Sequence, residues 1–206
     1  MVMSRYFKYI NIPTEQIIQL LTLEPKLVKF INADRPFSIR IMPDHFTCIV
    51  HTIISQQFSS AVVDAIWHKL TFNFRKITPK IFAQLTSEQL QSTGLSTAKI
   101  NAIKTIAYDI VDKKLNLNKL GNKTNQEIIT TLTQYKGIGN WSVQMLLMFT
   151  YCRRDVFPFN DLGIVNGIKK LYNLANVDEQ YIAKLQKKFK DYLTLFSFCL
   201  WRVAAN

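Results

Sequence analysis

Cysteine and acid are scarce in this chain, and each scarcity closes off a class of protein. Its three cysteines, Cys48, Cys152 and Cys199, are odd in number, far apart and set in apolar stretches. That pattern fits reduced intracellular thiols, not a disulfide framework or a metal knuckle. His45, His51 and His68 lack the i, i+4 pairing or nearby cysteines of a metal site. No Walker or Rossmann loop occurs, and no metal or cofactor is expected. No apolar run reaches the ~18 residues of a membrane span. The opening Met1-Val2-Met3-Ser4-Arg5 lacks a signal-peptide pattern, so a cytoplasmic location is expected, nucleoid-associated if bacterial. Acidic residues number 14 against 26 lysines and arginines, leaving a net charge of +12. Such a balance favours a polyanionic partner, although a lysine-coated surface gives the same count.

What the chain does have is apolar residues at helical period. Of its 206 residues, 48% are hydrophobic, enough for a proper core in one domain or two small ones. Phe46, Ile49, Val50, Ile53 and Ile54 form an i, i+3, i+4, i+7, i+8 stripe, and Val62, Ala65, Ile66 and Leu70 form another. Thr86-Ser87-Glu88-Gln89 and Thr124-Asn125-Gln126-Glu127 have capping-box spacing. Gly94 closes a short helix and Ser96 caps the next, while Asp161 and Asp178 cap helices expected over 162–173 and 179–190. A last helix is expected over 192–204. No segment reads convincingly as a strand. The expected fold class is all-α, with about ten short helices.

The segment Tyr135-Lys136-Gly137-Ile138-Gly139-Asn140-Trp141-Ser142-Val143 reads as a hairpin between two helices. Glycines one residue apart let the backbone turn tightly, and the second helix then offers its N–H groups and positive dipole end to an anion. A DNA phosphate fits that description without base readout. An ordinary αα-turn fits it too. Further on, Phe157-Pro158-Phe159-Asn160-Asp161 places a carboxylate at a helix start, where it acts as an N-cap, a chemical group or both.

Hairpin and Pro158-x-x-Asp161 together resemble the signature of the helix-hairpin-helix DNA glycosylases. Ile54-Ser55-Gln56-Gln57-Phe58-Ser59, Gly94-Leu95-Ser96-Thr97-Ala98-Lys99 and Leu200-Trp201 resemble segments of one branch, the 3-methyladenine DNA glycosylase II family. The similarity spans about residues 35–204. Larger members add an N-terminal β-rich domain that this length does not accommodate. The resemblance implies a barrel-like helical subdomain over 45–157 ending in the hairpin. It implies a second subdomain from 1–44 plus 158–206 that carries the catalytic Asp161, with a basic cleft between the two.

The implied function is excision of alkylated purines, 3-methyladenine foremost, from double-stranded DNA by a monomer that leaves an abasic site. Members that form a Schiff base carry lysine two residues after the hairpin's last glycine; Trp141 stands there, which implies hydrolysis by water. The four-cysteine cluster of some related glycosylases is impossible with three. Asp161 would activate water, stabilise the developing sugar cation, or both. Trp141, Met145 and Trp201 would line the base pocket, although Trp141 equally suits core packing. Lys136, Gly137, Ile138, Gly139 and Ser142 would form the phosphate hairpin, with Gln57, Ser96, Thr97 and Lys99 as further DNA contacts and Arg153 and Arg154 as candidate phosphate contacts. Gln56 and Gln57 also suit helix-packing hydrogen bonds.

The chain departs from the family at several points. A Trp-x-Pro-x-Arg run becomes Phe189, Asp191 and Leu193, and a pocket aromatic becomes Met145. The residue wedged into the duplex falls near Thr97, with Leu95 as a substitute. Two other readings stay open: an oxidised-base or mismatch glycosylase, and a non-catalytic DNA-binding module.

Overall fold

The computed structural model describes residues 3–206; Met1 and Val2, where the opening without a targeting pattern begins, lie outside the described residues. In chain order it runs β1 (Lys8–Ile12), α1 (Thr14–Leu23), a 3-10 turn (Pro25–Lys29), β2 (Phe37–Ile41), α2 (His45–Ser55) and α3 (Ser60–Phe74). Then come α4 (Pro79–Gln84), α5 (Ser87–Gln91), α6 (Thr97–Val111), α7 (Leu117–Leu120), α8 (Asn125–Leu132) and α9 (Asn140–Phe149). The chain closes with α10 (Leu162–Tyr172), α11 (Glu179–Lys188) and α12 (Leu193–Ala205). Among the described residues no helix is long and apolar enough to cross a membrane.

Capping chemistry sets many of these boundaries. Thr86 with Gln89 and Thr124 with Glu127 form complete capping boxes, each box pairing two backbone N–H groups that a helix start leaves unpartnered. Ser96, Asp161 and Asp178 accept from the third residue of their helices.

Two strands correct the expectation of a strandless chain. β1 and β2 pair as a two-stranded sheet. Each has five residues, too short to outweigh the helical period around it. The signal was present in β2, where Phe37 and Ile39 are buried and alternate with Ser38 and Arg40.

The chain divides into two compact units, the described part of Met1–Lys8 with Ile41–Tyr151, and Tyr9–Arg40 with Cys152–Asn206. In the first, α2 is the buried centre, packed by α3, α6 and α9. Val50, Ile53 and Ile54 of α2 are fully buried, as are Leu70, Phe82, Leu90, Ile100 and Ile103. Each such side chain contributes about 1.5–3 kcal/mol of transfer free energy.

In the second unit α10 lies against α12, closely enough at Gly167 that a Cβ would strike the Leu200 carbonyl. Phe189, at the position where the resemblance would lead one to expect tryptophan, is fully buried, its ring 3.8 Å from that of Phe196. Thr194, one residue beyond the lost arginine position, donates to the Arg153 carbonyl at 2.8 Å and accepts from the Val156 N–H at 3.0 Å. These contacts support α12 without the family's proline and arginine.

Glu24 joins the elements of this unit through a buried charge. Its Oε2 accepts from Tyr172 Oη at 2.6 Å and from Lys188 Nζ at 2.7 Å. Burial pushes its carboxyl up, but hydrogen bonds from Lys188 and Tyr172 and the lysine's charge outweigh it and hold the carboxyl below its ordinary value. The stabilisation is therefore present above the ordinary glutamate range and is lost as pH falls through the lowered folded-state value. Lys188→Met is expected to cost about 2 kcal/mol at neutral pH, less than for a fully enclosed pair, because the lysine side chain keeps 42% of its exposure. Urea denaturation at pH 7 and pH 3.5 checks this. The deficit should shrink in acid.

Candidate functional site

The hairpin turns at Gly137, whose φ of +91° favours glycine. A Cβ there would also sit 2.9 Å from Cβ of Ala102 on α6. Ile138 is the buried anchor, and its N–H bonds the Tyr135 carbonyl at 3.0 Å. Lys136, Gly137, Gly139 and Asn140 are exposed. Gly139 caps α9 with no side-chain hydrogen bond, and nothing lies within 4 Å of where its Cβ would stand. The N-terminal turn of α9 is thus presented beside open space, which suits an anion.

Next to the hairpin, the loop after α2 is fastened from two sides. Gln56 Nε2 donates to the Gly137 carbonyl and to Ser142 Oγ, both at 2.9 Å. Lys99 Nζ donates to the carbonyls of Ile54 at 2.8 Å and Gln56 at 2.9 Å, and lies 3.7 Å from the centre of the Phe58 ring. Burial lowers the pKa of that ammonium. Lysine here closes the C-terminal end of α2, where carbonyls lack helical partners and a positive charge is favoured. The fastened loop holds Gln57 exposed at a φ of +61°, an uncommon conformation for a side chain of its type.

In the second unit, Asp161 caps α10 and its Oδ1 accepts from Ile164 N at 3.0 Å. The same oxygen accepts from Trp201 Nε1 on α12 at 2.8 Å. Gly163 makes that approach possible, because a Cβ would stand 2.8 Å from Trp201 Cδ1 and 3.0 Å from Asp161 Oδ1. Asp161 and Trp201 are both half-buried.

Residues 50–191 match the family model described as HhH-GPD superfamily base excision DNA repair protein. The chain belongs to that superfamily. It is 29% identical over 184 residues to DNA-3-methyladenine glycosylase 1 of Schizosaccharomyces pombe, covering 87% of this chain and 81% of the relative. Among solved structures it resembles the fission-yeast 3-methyladenine DNA glycosylase Mag1 in complex with abasic DNA, at a TM-score of 0.79 and 28% identity, covering 89% of this chain and 92% of that one. It also resembles DNA-3-methyladenine glycosidase from Bacillus halodurans, at a TM-score of 0.78 and 25% identity, covering 97% and 93%.

Within this HhH-GPD fold the first unit brings together Lys136, Gly137, Ile138, Gly139, Ser142 and the fastened loop carrying Gln57. Trp141, on the first turn of α9, is half-buried, while Met145 one turn on is 5% exposed. Ser96 caps α6, and the exposed Thr97 accepts from Gln91 Nε2 at 3.3 Å. Leu95 is not a free wedge: at 4% exposure it packs into the core. Two features escaped sequence reasoning, the carbonyl-bound Lys99 and the Gly163 opening. A glycine two residues after a capping aspartate, inside a helix where alanine is preferred, was the available signal for the second.

Proposed function

We propose that this HhH-GPD protein is a monofunctional DNA glycosylase that excises alkylated purines, 3-methyladenine foremost, from double-stranded DNA. The carrying observation is the doubly held Asp161 carboxylate at the start of α10, in a chain whose hairpin is followed by Trp141 instead of lysine. The names of the relatives favour alkylated bases over the oxidised-base reading.

The lesion nucleotide is extruded from the stack while the hairpin holds its backbone phosphate. Trp141 stacks on the extruded base, and a cationic base gains about 2 kcal/mol from the indole face when desolvated. As the C1′–N bond breaks, its electron pair leaves with the base, and Asp161 faces the developing sugar cation. Water attacks C1′ and loses its proton, leaving an abasic sugar. A cationic methylated purine departs neutral, so no acid has to protonate it. The enzyme acts as a monomer and needs no cofactor.

The test is base release from methylated duplex DNA, with the released bases separated by chromatography. 3-Methyladenine release is expected, and hypoxanthine, a neutral leaving base that needs an acid, should be released poorly. Borohydride treatment during the reaction should trap no protein–DNA adduct. Efficient hypoxanthine release, or a strong trapped band, would overturn the assignment.

A further inference from the structure

We propose that Trp201 is a positioning residue: its indole N–H, admitted by the missing side chain at Gly163, sets the direction of the Asp161 carboxylate. The inference rests on the glycosylase reading, and it differs from the expectation that Trp201 lines the base pocket. Two independent observations carry it.

The first is the convergence of donors. The cap bond from the Ile164 N–H holds Oδ1 from within α10. The indole N–H reaches the same Oδ1 from a different helix at 2.8 Å, so the two bonds together define the plane of the group. A carboxylate that must meet a short-lived sugar cation gains from having its direction set before the bond breaks.

The second is the cost accepted at Gly163. Glycine is a poor helix former, and Gly163 lies within the first turn of α10. Alanine there would place its Cβ against both Trp201 Cδ1 and Asp161 Oδ1. Both atoms belong to the contact in question, and Phe198 packs edge-on against the Trp201 ring at 5.6 Å. That ring limits how the indole can yield on one side.

Stacking and positioning predict different losses. If the indole face binds the base, Trp201→Phe keeps an aromatic ring and any loss falls on the half-saturating concentration. If the N–H positions Asp161, phenylalanine removes the one atom that matters. Single-turnover excision from methylated duplex by the full chain is expected to slow roughly tenfold or more in Trp201→Phe. The half-saturating enzyme concentration should stay within about twofold of the parent. Gly163→Ala should slow the chemical step in the same way, and a thermal melt reports separately the strain that the added Cβ brings. In ¹H–¹⁵N spectra the indole N–H resonance missing from Trp201→Phe should be displaced in Asp161→Asn.

A parental rate in Trp201→Phe, or a loss confined to half-saturation, overturns the proposal. If Trp201→Phe does not fold, a parental rate in folded Gly163→Ala overturns it instead. Failure of the parent chain to release any methylated base refutes the glycosylase reading, while the resonance shift still reports whether the indole contact exists.

Discussion

Asp161→Asn is expected to slow single-turnover excision by about a hundredfold or more, the scale of one lost electrostatic group at a reacting centre. The substitution separates the two roles of the residue. Asparagine keeps an oxygen that can accept from Ile164 N and Trp201 Nε1, and it caps helices about as well as aspartate, so the fold should persist. It removes only the negative charge. Affinity for duplex DNA should hold or rise, since the loss of one anion makes a chain of net charge +12 more positive still. Rapid-quench excision assays with a parallel thermal melt check both parts. A variant that excises at the parental rate would reduce Asp161 to a helix cap. A variant that binds normally but cuts nothing would exclude the purely DNA-binding module.

Gly139→Asp is expected to weaken binding to duplex DNA of any sequence by about thirtyfold, roughly 2 kcal/mol, because it sets a carboxylate where a phosphate would dock. The structure makes this a clean test. Gly139 sits in an extended conformation open to any residue, and its Cβ would meet nothing. It is also the N-cap of α9 and lacks a capping side chain, so aspartate should add a few tenths of a kcal/mol of helix stability. Higher melting temperature with lower DNA affinity is the expected pair of results. Fluorescence anisotropy over a salt series measures the second, and the parent's affinity should fall steeply with salt. A folded variant with unchanged affinity would remove the hairpin from the DNA-binding surface.

The sequence by itself determined the all-α class, several helix starts and the two motifs. These are local properties. Capping boxes at Thr86 and Thr124 and the caps at Ser96, Asp161 and Asp178 depend on residues three apart, and a buried helix face shows in a period of 3.6. The hairpin was legible because a positive-φ turn selects glycine, as at Gly137.

Only the tertiary structure decided what several side chains touch. Lys99 reads in sequence as a candidate DNA contact, and the fold adds a role no local pattern shows, two hydrogen bonds from its ammonium to the carbonyls of Ile54 and Gln56, more than forty residues away. Leu95 reads as a substitute for the wedge expected near Thr97, and it is buried. The support of α12 passes from a proline and an arginine to Phe189, Phe196 and Thr194, which no local pattern announces. Trp201 meets Asp161 across forty residues, and Gly163 explains itself only when both are present. The physical reason is common to all of these. Helix period and caps are fixed by neighbours along the chain, whereas a long side chain's partner is fixed by which helices pack, and packing is a property of the folded whole.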